Sequence, residues 1–351
     1  MDKFNFSSLA RVNESAIQCS AEIRAQADFF RVNEVLPFKP DGSGGHVWLK
    51  IQKKGINTDW LALELAKFAG VKPVAIGYAG LKDRHAITTQ WFSINLEGFE
   101  EPNWSEFENN DIQIIECTRH NKKLKRGVLA GNQFTVRLTN IKGEISHWEQ
   151  ALNIIKQKGV PNYFGEQRFG HHMANLNRVE YWFSTGKSPK KRTQRSLYLS
   201  AARSWLFNLV LSERIKQGNW DQALMGDLML LTGTKSSLFL VENCDDQLSK
   251  RLATMDIHPT GIMWGRGQPD NKDDSLAIEN TVLSDWASWK EGLENAGLKQ
   301  ERRALRLFPS DFCWQFLDNE QLQLTFSLAA GCYATAVLRE LAVCINLQHR
   351  N

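Results

Sequence analysis

The first part of the chain is patterned for strands interrupted by short helices. In residues 46–52, Val47, Leu49 and Ile51 alternate with Trp48, Lys50 and Gln52, which predicts a half-buried strand, and residues 23–36 read as an earlier strand-forming stretch. Thr58 is placed to cap a helix whose Leu61, Leu65 and Phe68 recur at i, i+4 and i+7, with Gly70 closing it. Further strands are expected over 74–78, 88–96, 112–117 and 133–138, and a helix with Trp148, Leu152 and Ile155 on one face ends at Gly159. The pattern changes at Pro161, where aromatics and glycines crowd into a turn-rich stretch. A long helix from about Ser200, a hairpin across Gly233 and helical segments through Trp286 and Trp289 follow. Strand-like runs return at 312–317 and 322–328, and Gly331 leads into a helix expected to end near Asn346. Strand-rich ends around a distinct middle predict an α+β chain whose middle domain is inserted into a first domain that both termini complete.

Composition narrows the class. With 42% hydrophobic and 23% charged residues among 351, the chain is expected to fold, and at this length roughly 75% of its unfolded surface can be buried without a staple. The six cysteines (Cys19, Cys117, Cys244, Cys313, Cys332, Cys344) show no C-x-x-C pair and no zinc spacing, so they are expected as reduced core thiols. The first fifteen residues lack the apolar core of a signal peptide, and the longest uncharged run, 321–338, is broken by polar residues. A cytoplasmic chain without a membrane span is expected.

The net charge of +4 is too small to argue for nucleic acid, but its distribution is informative. Residues 119–137 carry six Lys and Arg and no acid, and residues 187–203 repeat that count. Two such patches can form a phosphate footprint or two solvated loops.

There is no P-loop, H-E-x-x-H or G-x-S-x-G motif. The glycine-rich run 41–46 precedes a strand instead of a helix, so a tight turn is expected, and His171-His172 reads as a surface pair. Lys82-Asp83-Arg84-His85 is the strongest candidate for chemistry, because flanking cations favour the charged form of a carboxylate held between them. A salt-bridged turn is the plainer alternative. Just past the first basic loop, Asn132 and Phe134 share one strand face, offering an amide and a ring to a flat polar ligand or, for Phe134, to the core.

GYAGLKDRHAITTQWFS (77–93) resembles the catalytic stretch of TruD-type tRNA pseudouridine synthases. HNKKLKRGVLAGNQF (120–134), GVPNYFGEQRFG (159–170), RSLYLSAARSWLFN (195–208) and GCYATAVLREL (331–341) are similar to further blocks of that family, in order and over nearly the whole chain. The resemblance implies a pseudouridine synthase catalytic domain with a mixed, largely antiparallel sheet over 1–159 and 306–351, and an inserted α/β TRUD domain over 160–305. It implies Asp83 as the catalytic aspartate, and Arg24, Phe30, Asn132, Phe134 and Tyr333 as substrate-binding residues. Arg24 stands where the family often has a lysine, six residues before the phenylalanine of its F-x-V-x-E strand, here Phe30 to Glu34. Its planar fork suits a carboxylate.

The implied activity is isomerisation of a tRNA uridine, at uridine 13 in this family, with no cofactor and no metal. The partner is tRNA, with no obligate protein partner and a monomer expected. Lys82, Arg84, Lys122, Lys123, Lys125 and Arg126 are expected on RNA, with Lys190, Lys191 and Arg192 as weaker contacts. Two other classes stay open: an RNA-binding or RNA-folding protein without turnover, and a carboxylate-based hydrolase of nucleosides.

Overall fold

The computed structural model describes residues 3–234, 236–318 and 320–347. These form two compact units. A sheet unit draws on Ala16–Trp148, Pro309–Gly331 and Ala342–Asn351, and a helix-rich unit on Met1–Ser15, Glu149–Phe308 and Cys332–Leu341. The division thus differs from the expected boundaries, because short terminal segments belong with the middle of the chain. Within the helix-rich unit the Glu340 carboxylate accepts the Val12 and Asn13 backbone N–H groups at 2.9 and 3.2 Å, and Arg339 donates to the Ala10 carbonyl at 2.9 Å.

The sheet unit is built on ten strands. The main path runs Ser310–Asp318, Gln321–Ala329, Gly131–Lys142, Phe30–Val35, Ile87–Asn95, His46–Lys54 and Ile112–His120. Ile76–Tyr78 pairs with Ile87–Asn95, and Ser20–Ile23 pairs with both Gly131–Lys142 and Val343–Asn346. Among the described residues of this sheet only Phe30–Val35 with Ile87–Asn95, and Ser20–Ile23 with Val343–Asn346, are parallel, so the sheet is mixed and largely antiparallel. The helix Thr58–Phe68 lays Leu61, Leu65 and Ala66 on Val47, Leu49, Ile51, Phe92 and Ile94. Ile87–Asn95 is buried along nearly its whole length, and its polar Gln90 and Ser93 bind neighbouring loops, satisfying groups that would otherwise be costly to bury.

The helix-rich unit centres on the helix Arg192–Lys216, whose Trp205, Leu206, Phe207, Val210 and Leu211 are buried in one cluster with Tyr163, Phe164, Phe169 and Trp289. A four-stranded antiparallel sheet, in the order Leu238–Leu240, Leu228–Leu231, Ile257–Met263 and Glu301–Ala304, completes it. Among the described residues no helix is long and apolar enough to cross a membrane.

Four expectations are corrected. Residues 23–36 do not form one strand: Ser20–Ile23 ends where Arg24 takes a left-handed φ of 58°, and pairing resumes at Phe30–Val35. Thr58 does not cap its helix, since Asn57 holds that position and makes no side-chain cap. The last helix covers only Ala334–Leu341, and Val343–Asn346 is a strand because its backbone groups find partners in Ser20–Ile23. Of the six cysteines only Cys19 is buried; Cys117, Cys244 and Cys313 are exposed and Cys332 and Cys344 partly open, so five of the six are not core thiols.

Candidate active site

Residues 79–86 form an irregular loop between the strands Ile76–Tyr78 and Ile87–Asn95. Its course is set from behind. The Lys82 backbone N–H donates to Thr58 Oγ1 at 3.0 Å, the Thr58 hydroxyl donates to Gln90 Oε1 at 2.9 Å, and Gln90 Nε2 donates to the Gly80 carbonyl at 3.2 Å. Thr58 therefore works for the loop and not for its own helix.

Anchoring at Lys82 leaves Asp83 facing partly outward, with 34% of its side chain exposed. Its Oδ1 accepts the His85 backbone N–H at 3.0 Å, and its Oδ2 pairs with the Arg24 guanidinium, which is only 13% exposed. The left-handed Arg24 backbone, a conformation uncommon for a branched-Cβ-free but bulky side chain, stands at the end of its strand where that side chain meets Asp83. The guanidinium also lies 4.4 Å from the centre of the Phe30 ring.

The other side of the loop is buried. The Lys82 side chain, 6% exposed, places Nζ 3.0 Å from Glu34 Oε2 and donates to Asn132 Oδ1 at 2.7 Å. Glu34 Oε1 accepts the Trp91 backbone N–H at 3.2 Å. Lys82 is thus not an RNA-facing cation, because the strands Phe30–Val35 and Gly131–Lys142 enclose its ammonium. Lys53 is buried as well: its ammonium donates to the Ile56 carbonyl at 2.6 Å. Burial pulls its pKa down to about 8, with Asp83 pulling it back up and Lys82 adding to the depression.

Phe30 and Phe134 are buried. The Phe134 ring stacks on Phe326 at 5.4 Å and meets Phe30 edge-on at 6.3 Å, so it is enclosed by neighbouring rings instead of standing open to a flat ligand. Tyr333 belongs to the helix-rich unit, where its hydroxyl accepts from Arg168 at 2.7 Å and its ring lies 6.0 Å from that of Phe164.

The basic residues fall into two groups. Arg84, Lys122 and Lys125 are exposed, and Arg84 donates to the Gly55 carbonyl at 3.2 Å. Lys123 is half-buried and donates to the Val74 carbonyl, while Arg126 donates to the Tyr78 hydroxyl with its guanidinium 4.2 Å from that ring. In the helix-rich unit, exposed Lys190, Lys191 and Arg192 sit at the start of the helix Arg192–Lys216, whose first turn has no acid. Cations at the positive end of a helix are unfavourable by themselves and suit a bound anion. Among the described residues no group of three or more His, Cys, Asp and Glu could hold a metal ion.

The sequence reading assigned no site role to Glu34 or Lys53, and it gave Thr58 only a helix cap. A signal was present for the first two. Glu34 continues the buried phase of Phe30 and Val32, and Lys53 that of Val47, Leu49 and Ile51, so each is a charge where the alternation calls for an apolar side chain.

Comparison with known proteins agrees with this architecture. The family model of tRNA pseudouridine synthase D (TruD) matches residues 14–188 and 188–341. A tRNA pseudouridine synthase D of Nitrosococcus oceani is 49% identical over 92% of this chain and 90% of its own length. One of Methylococcus capsulatus is 46% identical over 93% of this chain and 92% of its own. A crystal structure described as tRNA pseudouridine synthase D from Methanosarcina mazei shares the fold, with a TM-score of 0.72 at 21% identity over 95% of each chain. A family model spanning most of the residues, and relatives of this identity over nearly their full length, establish that the chain belongs to the TruD family of tRNA pseudouridine synthases.

Proposed function

We propose that the protein isomerises uridine to pseudouridine in tRNA, at uridine 13, with Asp83 as the catalytic carboxylate. The observation that carries this reading is the asymmetric setting of Asp83. One oxygen takes a backbone N–H and the other an arginine, yet a third of the side chain is open to a substrate. The names of the relatives supply the reaction class.

The reaction breaks the bond from C1′ to N1 of the uracil, joins C1′ to C5, and moves the C5 hydrogen to N1, so no electrons are gained or lost and no external energy is required. A charged carboxylate serves the sugar as nucleophile or as base, and both roles need the partly open position of Asp83. The uridine must leave the base stack, at a cost of a few kcal/mol. Because the Phe134 ring is covered by Phe326, stacking on it does not offset that cost, and phosphate contacts from exposed cations such as Arg84, Lys122 and Lys125 must do so.

Asp83→Asn keeps shape but can neither attack nor accept a proton. Single-turnover assays on bulk tRNA, reading a product of unchanged mass, should show conversion by wild type and below about one per cent of that rate in the variant, with tRNA affinity within a few fold. Full conversion by the variant removes Asp83 from the chemistry, and tRNA binding by wild type without conversion leaves an RNA-binding protein. Mapping of the modified nucleotide to another position overturns uridine 13.

A further inference from the structure

We propose that Lys82 is a positioning residue that fixes which way the Asn132 amide points, so that its N–H stands ready as a hydrogen-bond donor to a carbonyl of the uracil on which Asp83 acts. This inference rests on the uridine-isomerising reading of the same site.

An asparagine amide can face either way, one end accepting and the other donating. An ammonium has only donors, so at 2.7 Å from Lys82 Nζ the group on Asn132 must be Oδ1. The reverse orientation would set donor against donor. Lys82 has little freedom to follow a turning amide. Its Nζ lies 3.0 Å from Glu34 Oε2, the Glu34 side chain is 0% exposed, and its second oxygen accepts the Trp91 N–H at 3.2 Å. Removing the cation from a carboxylate buried this deeply is strongly unfavourable. The strand places Glu34, Glu34 places the ammonium, and the ammonium turns the amide.

Register builds the same order into the sheet, since Glu34 and Asn132 are direct neighbours across the strands Phe30–Val35 and Gly131–Lys142. Asn132 is half-buried, and its Nδ2 has no acceptor among the described residues. That N–H group is therefore free for a ligand, on a side chain tied to the residue that precedes Asp83. When the bond from C1′ to N1 breaks, the departing uracil carries negative charge shared by its carbonyl oxygens. A fixed N–H donor binds that charged form more strongly than the neutral base, which is the requirement for an interaction that accelerates the step.

Two variants of the full-length protein test this. Lys82→Met with Glu34→Gln removes the ammonium without stranding a buried charge and keeps an acceptor for the Trp91 N–H. Asn132→Asp keeps an acceptor for Lys82 but presents oxygen where the N–H stood. Both should lose about 100-fold in single-turnover rate on tRNA while Kd stays within about threefold, a split that follows from losing a donor used in the transition state. The thermal midpoint of the double variant should stay near that of wild type. Turnover within about threefold of wild type in either variant overturns the proposal. So does a loss of activity that only tracks a loss of folded protein. If the double variant does not fold, Asn132→Asp decides, because it leaves the ion pair in place. A wild type that forms no pseudouridine overturns the functional reading itself and this inference with it, whereas an active wild type beside unimpaired variants overturns this inference alone.

Discussion

Lys53 shows how one buried charge becomes measurable. It is 1% exposed, it has no carboxylate in direct contact among the described ion pairs, and its pKa falls to about 8 chiefly through burial. Unfolding restores an ordinary lysine, so between about pH 8 and 10.5 the unfolded chain holds a proton that the folded chain has lost. Stability contributed at this site therefore rises as pH increases across that window and is flat below it. The gain reaches about 1–3 kcal/mol, at about 1.4 kcal/mol per unit of depression discounted for residual solvent. Urea unfolding of wild type and Lys53→Met at pH 7.5, 9 and 10 should show wild type gaining on the variant. A difference independent of pH would mean that Lys53 titrates normally in the folded protein.

At the scale of elements, the basic loop is a clamped segment with selected side chains left out. The Leu124 N–H donates to Ser93 Oγ at 2.9 Å, and Trp48 Nε1 donates to the Lys122 carbonyl at 3.0 Å. Gly77 permits the approach: a Cβ there would stand 2.3 Å from the Leu124 carbonyl oxygen, so no other residue fits without displacing the loop. Lys123 is drawn into this seat by its bond to the Val74 carbonyl, whereas Lys122 and Lys125 stay exposed and are the proposed phosphate contacts. Replacing both by alanine should flatten the slope of log K for tRNA against log salt by roughly 1.4–1.8, taking about 0.7–0.9 per contact, with little effect on single-turnover rate at saturating enzyme. Fluorescence titrations at several salt concentrations provide the check. Parallel lines would take the loop off the RNA and point to Lys190, Lys191 and Arg192.

Considered as a whole, the molecule places its proposed chemistry in the sheet unit, on groups that act as a carboxylate, an amide and two kinds of cation. Chemistry of that kind is complete without a metal ion. Turnover is expected to survive exhaustive EDTA treatment once the tRNA has been refolded without divalent ions. Activity lost on chelation and restored specifically by zinc or manganese would overturn the mechanism. Magnesium discriminates less, since it folds RNA.

The amino-acid pattern alone determined most strands, the basic loop and the Lys82–Asp83 loop, because alternation and turn chemistry are local properties that a few neighbouring residues express. The resemblance of five sequence blocks identified the family, and it is what singled out Asp83 and Asn132 for the proposed roles. Tertiary structure decided which side of each of these a ligand can reach. Lys82 and Arg84 look alike in sequence, yet one is enclosed by two strands and the other stays in solvent. Phe134 is closed off by Phe326, a partner from a strand far along the chain. Thr58 holds the Lys82–Asp83 loop, which follows it by more than twenty positions, and Val343–Asn346 is a strand only because Ser20–Ile23 lies beside it. The physical reason is common to all four: periodicity is set by adjacent residues, whereas burial and hydrogen-bond partnership are set by segments that the fold brings together from distant parts of the chain.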